Sequence, residues 1–369
     1  MLLERGDNFG ETDIILNVDE RFPLRLYGGM EDSGTLLTGE NRWLTGFNWG
    51  NAFGLDHQMS YQFTSAFNAD ELNAHSFSYI APLSWRHTAS LFGAYVESDP
   101  GEDPAGLDLG GESWQLGGSY NLPLKQFNDI KHEATLGYVF KRSNNNLRFG
   151  GLDVFNTFTD ISQFLVGYGA SLTDRWGATS LRAGMNISPG GMTSKNDDES
   201  FNASRASATA DYVYGRINLG RVTRLPKDFT WLIDAQLQVS SNNLLGSEQL
   251  GLGGYLTIRG YDEYQIVGDE GIIVRTELRT PSLSLLRHFD IDDLRDELQL
   301  LAFFDYGIVG VVDPLPGEHS TELASAGVGF RYAINPYFTV RFDYGWQLEE
   351  ATQNNDRDSQ THIGVIIGY

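Results

Sequence analysis

The histidines are the first residues in this sequence that could do chemistry, because imidazole acts as a general base or a metal ligand near neutral pH. Their spacing argues against both roles, since no two lie two residues apart, the separation that puts a pair on one face of a strand. No G-x-S-x-G, P-loop or H-E-x-x-H motif accompanies them. We therefore expect no enzyme, no metal site and no cofactor. The seven histidines are residues 57, 75, 87, 132, 288, 319 and 362.

Carboxylates are abundant, and their densest group is the segment FDIDDLRDE, residues 289–297. A calcium loop places oxygen ligands at fixed positions and needs a glycine for its sharp turn, and this segment has neither feature. It is interpreted as a solvated turn or a short helix. The net charge of the whole chain is -23. Nucleic acid is therefore not an expected partner, because phosphate binding requires a basic face.

One arginine draws attention because the residues around it fit no regular element. The stretch GLGGYLTIRGYDEYQIVGDEG, residues 251–271, has too many glycines for a helix and too little alternation for a strand. Its one cation is Arg259, which lies between Ile258 and Gly260. A guanidinium can hold a carboxylate through two parallel hydrogen bonds, which a lysine cannot. Arg259 is therefore expected to form a charge-assisted ion pair rather than to take part in a reaction.

The elements that must position this arginine show strict alternation of apolar and polar residues. In YFTVRFDYGWQLE, residues 337–349, one face is wholly apolar and the other polar or charged. Such segments number about 16 and are mostly about 9–13 residues long, close to the length that a tilted strand needs to cross a bilayer. No run of about 18 apolar residues could form a spanning helix.

The connections between these segments alternate in length. Short ones lie at 172–177, 224–229 and 334–337, and long polar ones at 97–112 and 188–204. This pattern is typical of outer-membrane barrels, which have short periplasmic turns and longer extracellular loops. A soluble β-sandwich would have shorter strands and no reason to alternate its loops. The sequence thus predicts an all-β membrane protein, a 16-stranded antiparallel transmembrane β-barrel.

Several motifs, taken in order, resemble the barrel-assembly and two-partner secretion superfamily of outer-membrane proteins. The tetrad Ile258-Arg259-Gly260-Tyr261 matches the V/I-R-G-F/Y motif of the family's plug-like sixth extracellular loop. The preceding SEQLGLGG, residues 247–254, is close to the stretch that introduces the tetrad in two-partner secretion (TpsB, FhaC/ShlB-like) transporters. GDEGIIVRTELRTP, residues 268–281, resembles the strand that follows. FFDYG, residues 303–307, matches the F-x-D-x-G motif of the next strand.

The resemblance implies that residues 241–271 fold into the lumen. A charge in hydrocarbon is costly, so Asp305 is expected to point inward, where the loop would bring Arg259 to it. Glu277 shares the inward face of the preceding strand with Arg275 and Arg279, which are interpreted as generic lumen charges. The expected site residues of the loop and its contacts are Ile258, Arg259, Gly260, Tyr261, Glu277, Phe303, Asp305 and Gly307.

The two ends of the chain also resemble the family. The final strand, THIGVIIGY, carries Ile363, Val365, Ile367 and the terminal Tyr369 on one face, an ending that the barrel-assembly machinery reads in such proteins. Residues 1–20 resemble the end of the last periplasmic POTRA module, with the barrel at 21–369. A full family member also carries a signal peptide, a plug helix and two POTRA modules, and we expect this sequence to be the barrel portion alone.

By resemblance, the expected function is a translocation pore in the outer membrane of a Gram-negative bacterium. It would export a partner exoprotein, such as a haemolysin or an adhesin, from the periplasm to the surface. Further expected partners are outer-membrane lipid or lipopolysaccharide and, during insertion, the barrel-assembly machinery; the pore itself is expected to be monomeric. Two alternatives remain open: a barrel-assembly or TamA-like insertase, and a passive porin, which would need no R-G-Y loop.

Overall fold

The burial of side chains follows the same two-residue period that the sequence shows. Along Arg295–Gly310, Phe303 and Asp305 are buried while Phe304 between them is 45% exposed. Neighbouring strands repeat the pattern, so the side chains on one face of the sheet are buried and those on the other face are exposed. The computed structural model describes residues 2–5, 12–15, 22–35, 38–99, 107–108, 110–149, 152–289, 294–350 and 357–369.

Sixteen antiparallel strands close into a barrel, because the last strand pairs with the first. The predicted fold class of a 16-stranded antiparallel barrel is confirmed. The barrel strands are β1 Leu24–Glu31, β2 Arg42–Ala52, β3 His57–Ala66, β4 Leu72–Pro82, β5 Thr88–Ser98, β6 Gly111–Pro123, β7 Ile130–Phe149, β8 Leu152–Asp174, β9 Gly177–Pro189, β10 Asp211–Arg224, β11 Thr230–Ser240, β12 Glu270–Arg279, β13 Arg295–Gly310, β14 Thr321–Asn335, β15 Phe338–Gln347 and β16 Ser359–Gly368.

Two strands are longer than the alternation predicts. β7 and β8 have 20 and 23 residues, because their outer parts continue as a hairpin past the strands on either side. The two-residue strand Leu107–Asp108 pairs with the outer part of β7 and adds no strand to the barrel. Loop length does not show where such a hairpin begins, since its pairing continues the β7–β8 ladder, with one register shift between Leu147 and Arg148.

The connection between β12 and β13 is the exception among the short turns, since it runs over 280–294. It contains the 3-10 helix Leu286–Phe289, and the Asp296 carboxylate accepts hydrogen bonds from the backbone N–H groups of Leu285 and Leu286. Only part of 289–297 is therefore a turn, because its last residues begin β13. Residues 290–293 lie outside the described part of the chain.

The outer face of the barrel is apolar and open. Contiguous exposed side chains of this kind far exceed the patches that soluble monomers tolerate, so this surface suits hydrocarbon. Within the described residues, no helix is long and apolar enough to cross a membrane. The exposed outer side chains include Ile217, Leu219, Leu237, Val239, Ile272, Leu278, Leu300, Phe304, Val328 and Ile363.

The predicted periplasmic remnant at residues 1–20 is described only in part. Leu2–Arg5 and Thr12–Ile15 form an antiparallel two-stranded sheet separate from the barrel. The rest of that segment lies outside the described residues. Its origin in a POTRA module stays a prediction, as does the boundary between domains.

The apolar outer face predicts how the isolated chain should behave. It should fold only in detergent or lipid, and the folded form should migrate faster on a gel unheated than boiled, since the closed barrel resists the detergent until heated. Paired samples with and without boiling measure this. A monomer that is soluble without detergent and melts cooperatively would contradict the membrane barrel.

Candidate functional site

The loop that the sequence predicts to be the sixth extracellular one spans residues 241–269, connects β11 to β12 and contains a small hairpin. Leu250–Leu252 pairs with Ile266–Gly268 in antiparallel register. Gly253 and Gly254 follow the first hairpin strand with positive φ angles of 104° and 94°, a conformation that glycine adopts without strain. The chain then turns away from the hairpin, and we call residues 253–265 the loop tip.

Arg259 lies in the loop tip and contacts carboxylates of three strands. Its Nε and Nη2 donate to the two oxygens of Asp305 at 2.7 and 2.8 Å, the bidentate geometry that the sequence suggested. Its Nη1 donates to Glu277 at 2.6 Å and to Asp343 at 3.3 Å. The guanidinium also stacks on the Phe303 ring, 3.6 Å from its centre.

The electrostatics explain why this charge can be buried. Arg259 is 0% exposed, and removing an ion from water costs several kcal/mol unless partners replace the solvent. Burial alone would lower the pKa of Arg259, but hydrogen bonding and charge from Asp305, with the charges of Glu277 and Asp343, raise it above its ordinary value. The arginine is therefore charged at every physiological pH.

Further arginines balance the surplus of carboxylates. Arg279 donates to Glu277 at 2.6 Å, and Arg331 lies 2.9 Å from Asp343. Arg275 is 3.8 Å from Asp305 and donates to the Leu256 carbonyl at 3.1 Å. The interpretation of Arg275 and Arg279 as generic lumen charges is thus incomplete. Arg275 contacts both the loop tip and Asp305, and Arg279 contacts Glu277.

Apolar contacts fix the tip on both sides of the arginine. Ile258 and Tyr261 are fully buried, in a cluster with Leu250, Leu252, Ile273, Val309 and Leu323. The Tyr261 hydroxyl lies 2.8 and 2.7 Å from the carbonyl oxygens of Ala324 and Glu349. A side chain in place of Gly307 would meet Ile258 at 3.1 Å, so that glycine leaves room for the cluster.

Gly260 brings the tip against the wall. Its φ is 94°, and a Cβ there would meet Gly345 of β15 at about 3.0 Å, so both positions need a residue without a side chain. The Gly260 N–H donates to His362 Nε2 at 3.0 Å, and its carbonyl accepts from Gln347 at 2.7 Å. Tyr255, also in the tip, lies under Arg341, whose guanidinium is 3.7 Å from the ring centre.

Asp343 and His362 were not expected from the sequence. The signal for Asp343 was available, because the tetrapeptide FDYG occurs twice, at 304–307 and at 342–345. The second and fourth residues of each copy face inward, so Asp305 and Asp343 both reach Arg259, while Gly307 and Gly345 both lie against the tip. For His362 no signal existed, since its partner is a backbone N–H group.

The residues of the final strand lie elsewhere. Ile363, Ile367 and Tyr369 are exposed and Val365 is half-buried, on the outer face of β16 and away from the loop. Their part in assembly stays a prediction. Among the described residues, no group of three or more His, Asp or Glu side chains could hold a metal ion.

These features define a class: an outer-membrane barrel whose sixth loop binds the inner wall through a buried arginine. The sequence matches, over residues 10–332, the family described as haemolysin secretion/activation protein ShlB/FhaC/HecB. The chain belongs to this family, whose members are outer-membrane transporters of two-partner secretion in Gram-negative bacteria, each serving a secreted exoprotein. No curated protein sequence matches it significantly.

Solved structures show the same fold. CdiB from Escherichia coli is similar with a TM-score of 0.86 at 18% identity, over 100% of this chain and 67% of that one. CdiB from Acinetobacter baumannii gives 0.70 at 18% identity, over 94% and 60%. BamA from Haemophilus ducreyi lacking POTRA domains 1-3 gives 0.64 at 13% identity, over 95% and 71%. The chain thus spans about two thirds of these proteins.

The geometry predicts strong coupling between Arg259 and Asp305. Arg259→Ala and Asp305→Ala should each loosen the tip and raise channel activity in planar bilayers, because breaking a buried ion pair costs about 3–5 kcal/mol. Arg259→Ala should have the larger effect, since it leaves three carboxylates without their shared partner. The double mutant should conduct little more than Arg259→Ala alone.

The exposed pair of Arg221 and Asp174 provides the control. Arg221 Nη1 and Nη2 donate to Asp174 at 2.8 and 3.1 Å, the same two-bond geometry, but near the turn between β8 and β9 and far from the loop. Arg221→Ala should leave conductance at the wild-type level, because exposed pairs contribute little. Simple addition of the Arg259 and Asp305 effects would show that the two residues do not act as one contact.

Proposed function

We propose that the chain is the pore of a two-partner secretion transporter in which the sixth loop closes the lumen and is displaced when the exoprotein passes. The observation that carries the proposal is the arginine site, where the R-G-Y tip contacts the F-x-D-x-G strand. Side-chain contacts can be replaced by contacts with a passing polypeptide without breaking the backbone hydrogen bonds that hold the barrel together. The site residues are thus assigned a role in gating rather than in catalysis.

The remaining lumen suits an unfolded polypeptide. A cavity of about 810 Å³ lies between the loop and β5–β8, and it is lined both by polar side chains such as Ser113, Gln115, Ser143 and Thr159 and by apolar ones such as Val96 and Ile161. The polar groups of such a surface can form hydrogen bonds with any polypeptide backbone but do not recognise a particular sequence, so an extended chain can slide along it. This supports a conduit for an extended exoprotein.

The other two interpretations fit less well. An insertase would act through the seam between β16 and β1, whose ladder spans only five residue pairs, from Gly364–Glu31 to Gly368–Tyr27. The likeness to BamA is weaker than that to either CdiB, however, and the family is one of secretion. A porin conducts constitutively and would gain nothing from a loop held by a buried arginine.

We further propose the partners that assemble and surround the pore. The apolar outer wall contacts outer-membrane lipid or lipopolysaccharide. The outward face of β16, ending at Tyr369, is read by the barrel-assembly machinery during insertion. The pore acts as a monomer, since one closed barrel contains both the loop and every contact of Arg259.

Secretion should require the periplasmic modules as well as the barrel. This chain behind a signal peptide should reach the outer membrane yet fail to secrete its partner exoprotein, because POTRA modules capture the partner in this family. The measurement is the exoprotein in the medium, with the same barrel behind two POTRA modules as the control. Normal yield from the barrel alone would place recognition in the barrel itself.

A further inference from the structure

A second buried carboxylate holds the sixth loop, at a point remote from Arg259. Glu248 is 1% exposed and lies before the hairpin, in the segment 244–249 that we call the loop base. Its carboxylate accepts hydrogen bonds from Lys141 at 2.5 Å, Gln163 at 3.0 Å and Tyr214 at 2.8 Å. These donors belong to β7, β8 and β10, so the loop base is fastened to a different arc of the wall.

The charge of Glu248 is well compensated. Burial alone would raise the pKa of Glu248, but the charge and hydrogen bond of Lys141, with the hydrogen bonds of Gln163 and Tyr214, hold it below its ordinary range. Its backbone carbonyl also accepts from Gln238 of β11 at 3.1 Å. The residue is therefore an ionised anchor with donors on four strands.

Asp269, at the other end of the loop, adds contacts to the same side of the barrel. It is fully buried and accepts from Arg205 at 2.5 and 3.0 Å and from the Leu244 N–H at 2.9 Å. Arg205 follows the helix α1, Asp198–Ser204, which lies in the fifth loop, residues 190–210, between β9 and β10. Both chain segments that enter and leave the loop are thus bound to β7–β11 and the fifth loop, with further backbone contacts of Asp269 to Gly310 and Val312 at the outer end of β13. Arg259 in the tip contacts carboxylates of β12, β13 and β15 instead.

The ionic contacts of Glu248 and of Arg259 share no residue, and a joint of two glycines lies between the two residues along the chain, although Ile258 and Tyr261 of the tip also pack on Leu250 and Leu252 of the hairpin. Between the loop base and Arg259 the chain passes through Gly253 and Gly254, both at positive φ. The hairpin Leu250–Leu252 and Ile266–Gly268 closes the base by backbone pairing and does not depend on the arginine. A rotation at the glycine pair, with a matching change at Gln265 where the tip rejoins the hairpin, would move the tip while leaving the base in place.

We infer that the sixth loop has two independent anchors, and that Glu248 is a positioning residue that keeps the base fixed while the tip swings on the Gly253–Gly254 joint. Release of Arg259 then opens the lumen beside β12–β16 without expelling the loop from the barrel. The inference deepens the proposed gating function and rests on it for its purpose, but the arrangement itself can be tested without secretion.

Distances between spin labels test the two anchors in the full chain in detergent or lipid. The sequence has no cysteine, so pairs of introduced cysteines label uniquely. One label at Lys125, in the turn between β6 and β7, serves as the reference. The second label goes at Gly246 in the base, where a Cβ meets nothing within 4 Å, or at Leu256 in the tip, which is 72% exposed.

Arg259→Ala should widen the distance distribution from Lys125 to Leu256 and leave that from Lys125 to Gly246 at its wild-type width. Glu248→Gln should widen the distribution to Gly246, because it removes the charge that holds Lys141. The reciprocal exchange Lys141→Glu with Glu248→Lys should narrow it again, a rescue that loss of packing alone would not allow. If Glu248→Gln fails to fold, as judged by the gel-mobility shift, Lys141→Met removes the same ion pair from its β7 side.

Two results would overturn the inference. One is widening at Gly246 in Arg259→Ala, which would mean that base and tip move as one body. The other is an unchanged Gly246 distance in both Glu248→Gln and Lys141→Met, which would mean that the carboxylate holds nothing. Failure of the proposed function would look different, because the complete transporter would then not secrete while every label distance stayed as expected.

Discussion

The structure of the lumen depends on one buried guanidinium. An arginine without solvent must find partners for its N–H groups and its charge, and no single strand can supply both. Asp305, Glu277 and Asp343 do so from β13, β12 and β15. Their inward positions, and the arginines that balance them, follow from that requirement, so a charge at the loop tip determines the composition of a large part of the wall.

The close approach of the loop imposes a second constraint, on side-chain volume. The guanidinium can reach three strands only if the backbone of the tip lies directly against the wall. Gly260 and Gly345 make this possible, because a Cβ on Gly260 would lie 3.0 Å from the Gly345 backbone and a Cβ on Gly345 would lie 2.8 Å from the Gly260 backbone. Charge and volume are matched in the two FDYG copies, where an aspartate and a glycine share the inward face of each strand.

The sequence predicted what depends on local pattern. Alternation of period two predicted the strands and the barrel, and the V/I-R-G-F/Y and F-x-D-x-G motifs predicted the contact between Arg259 and Asp305. Contacts set by barrel closure were missed, because Asp343 and His362 lie 84 and 102 positions from their partners in the tip. Glu248 is 107 positions from Lys141. No spacing rule in the sequence relates a loop residue to a residue on a distant strand of the barrel.

The choice of ionic anchors over apolar ones has a physical reason. Replacing a buried ion pair by well-packed apolar residues is often neutral or stabilising, so Arg259 does not serve mainly to increase the stability of the barrel. In the proposed gating step, its directional contacts are lost as a set when the guanidinium is displaced, and water and the backbone groups of the entering polypeptide then satisfy the separated charges. An apolar plug would offer such a chain nothing to exchange. The barrel wall is insulated from this event, because backbone hydrogen bonds hold the strands together while side chains hold the loop.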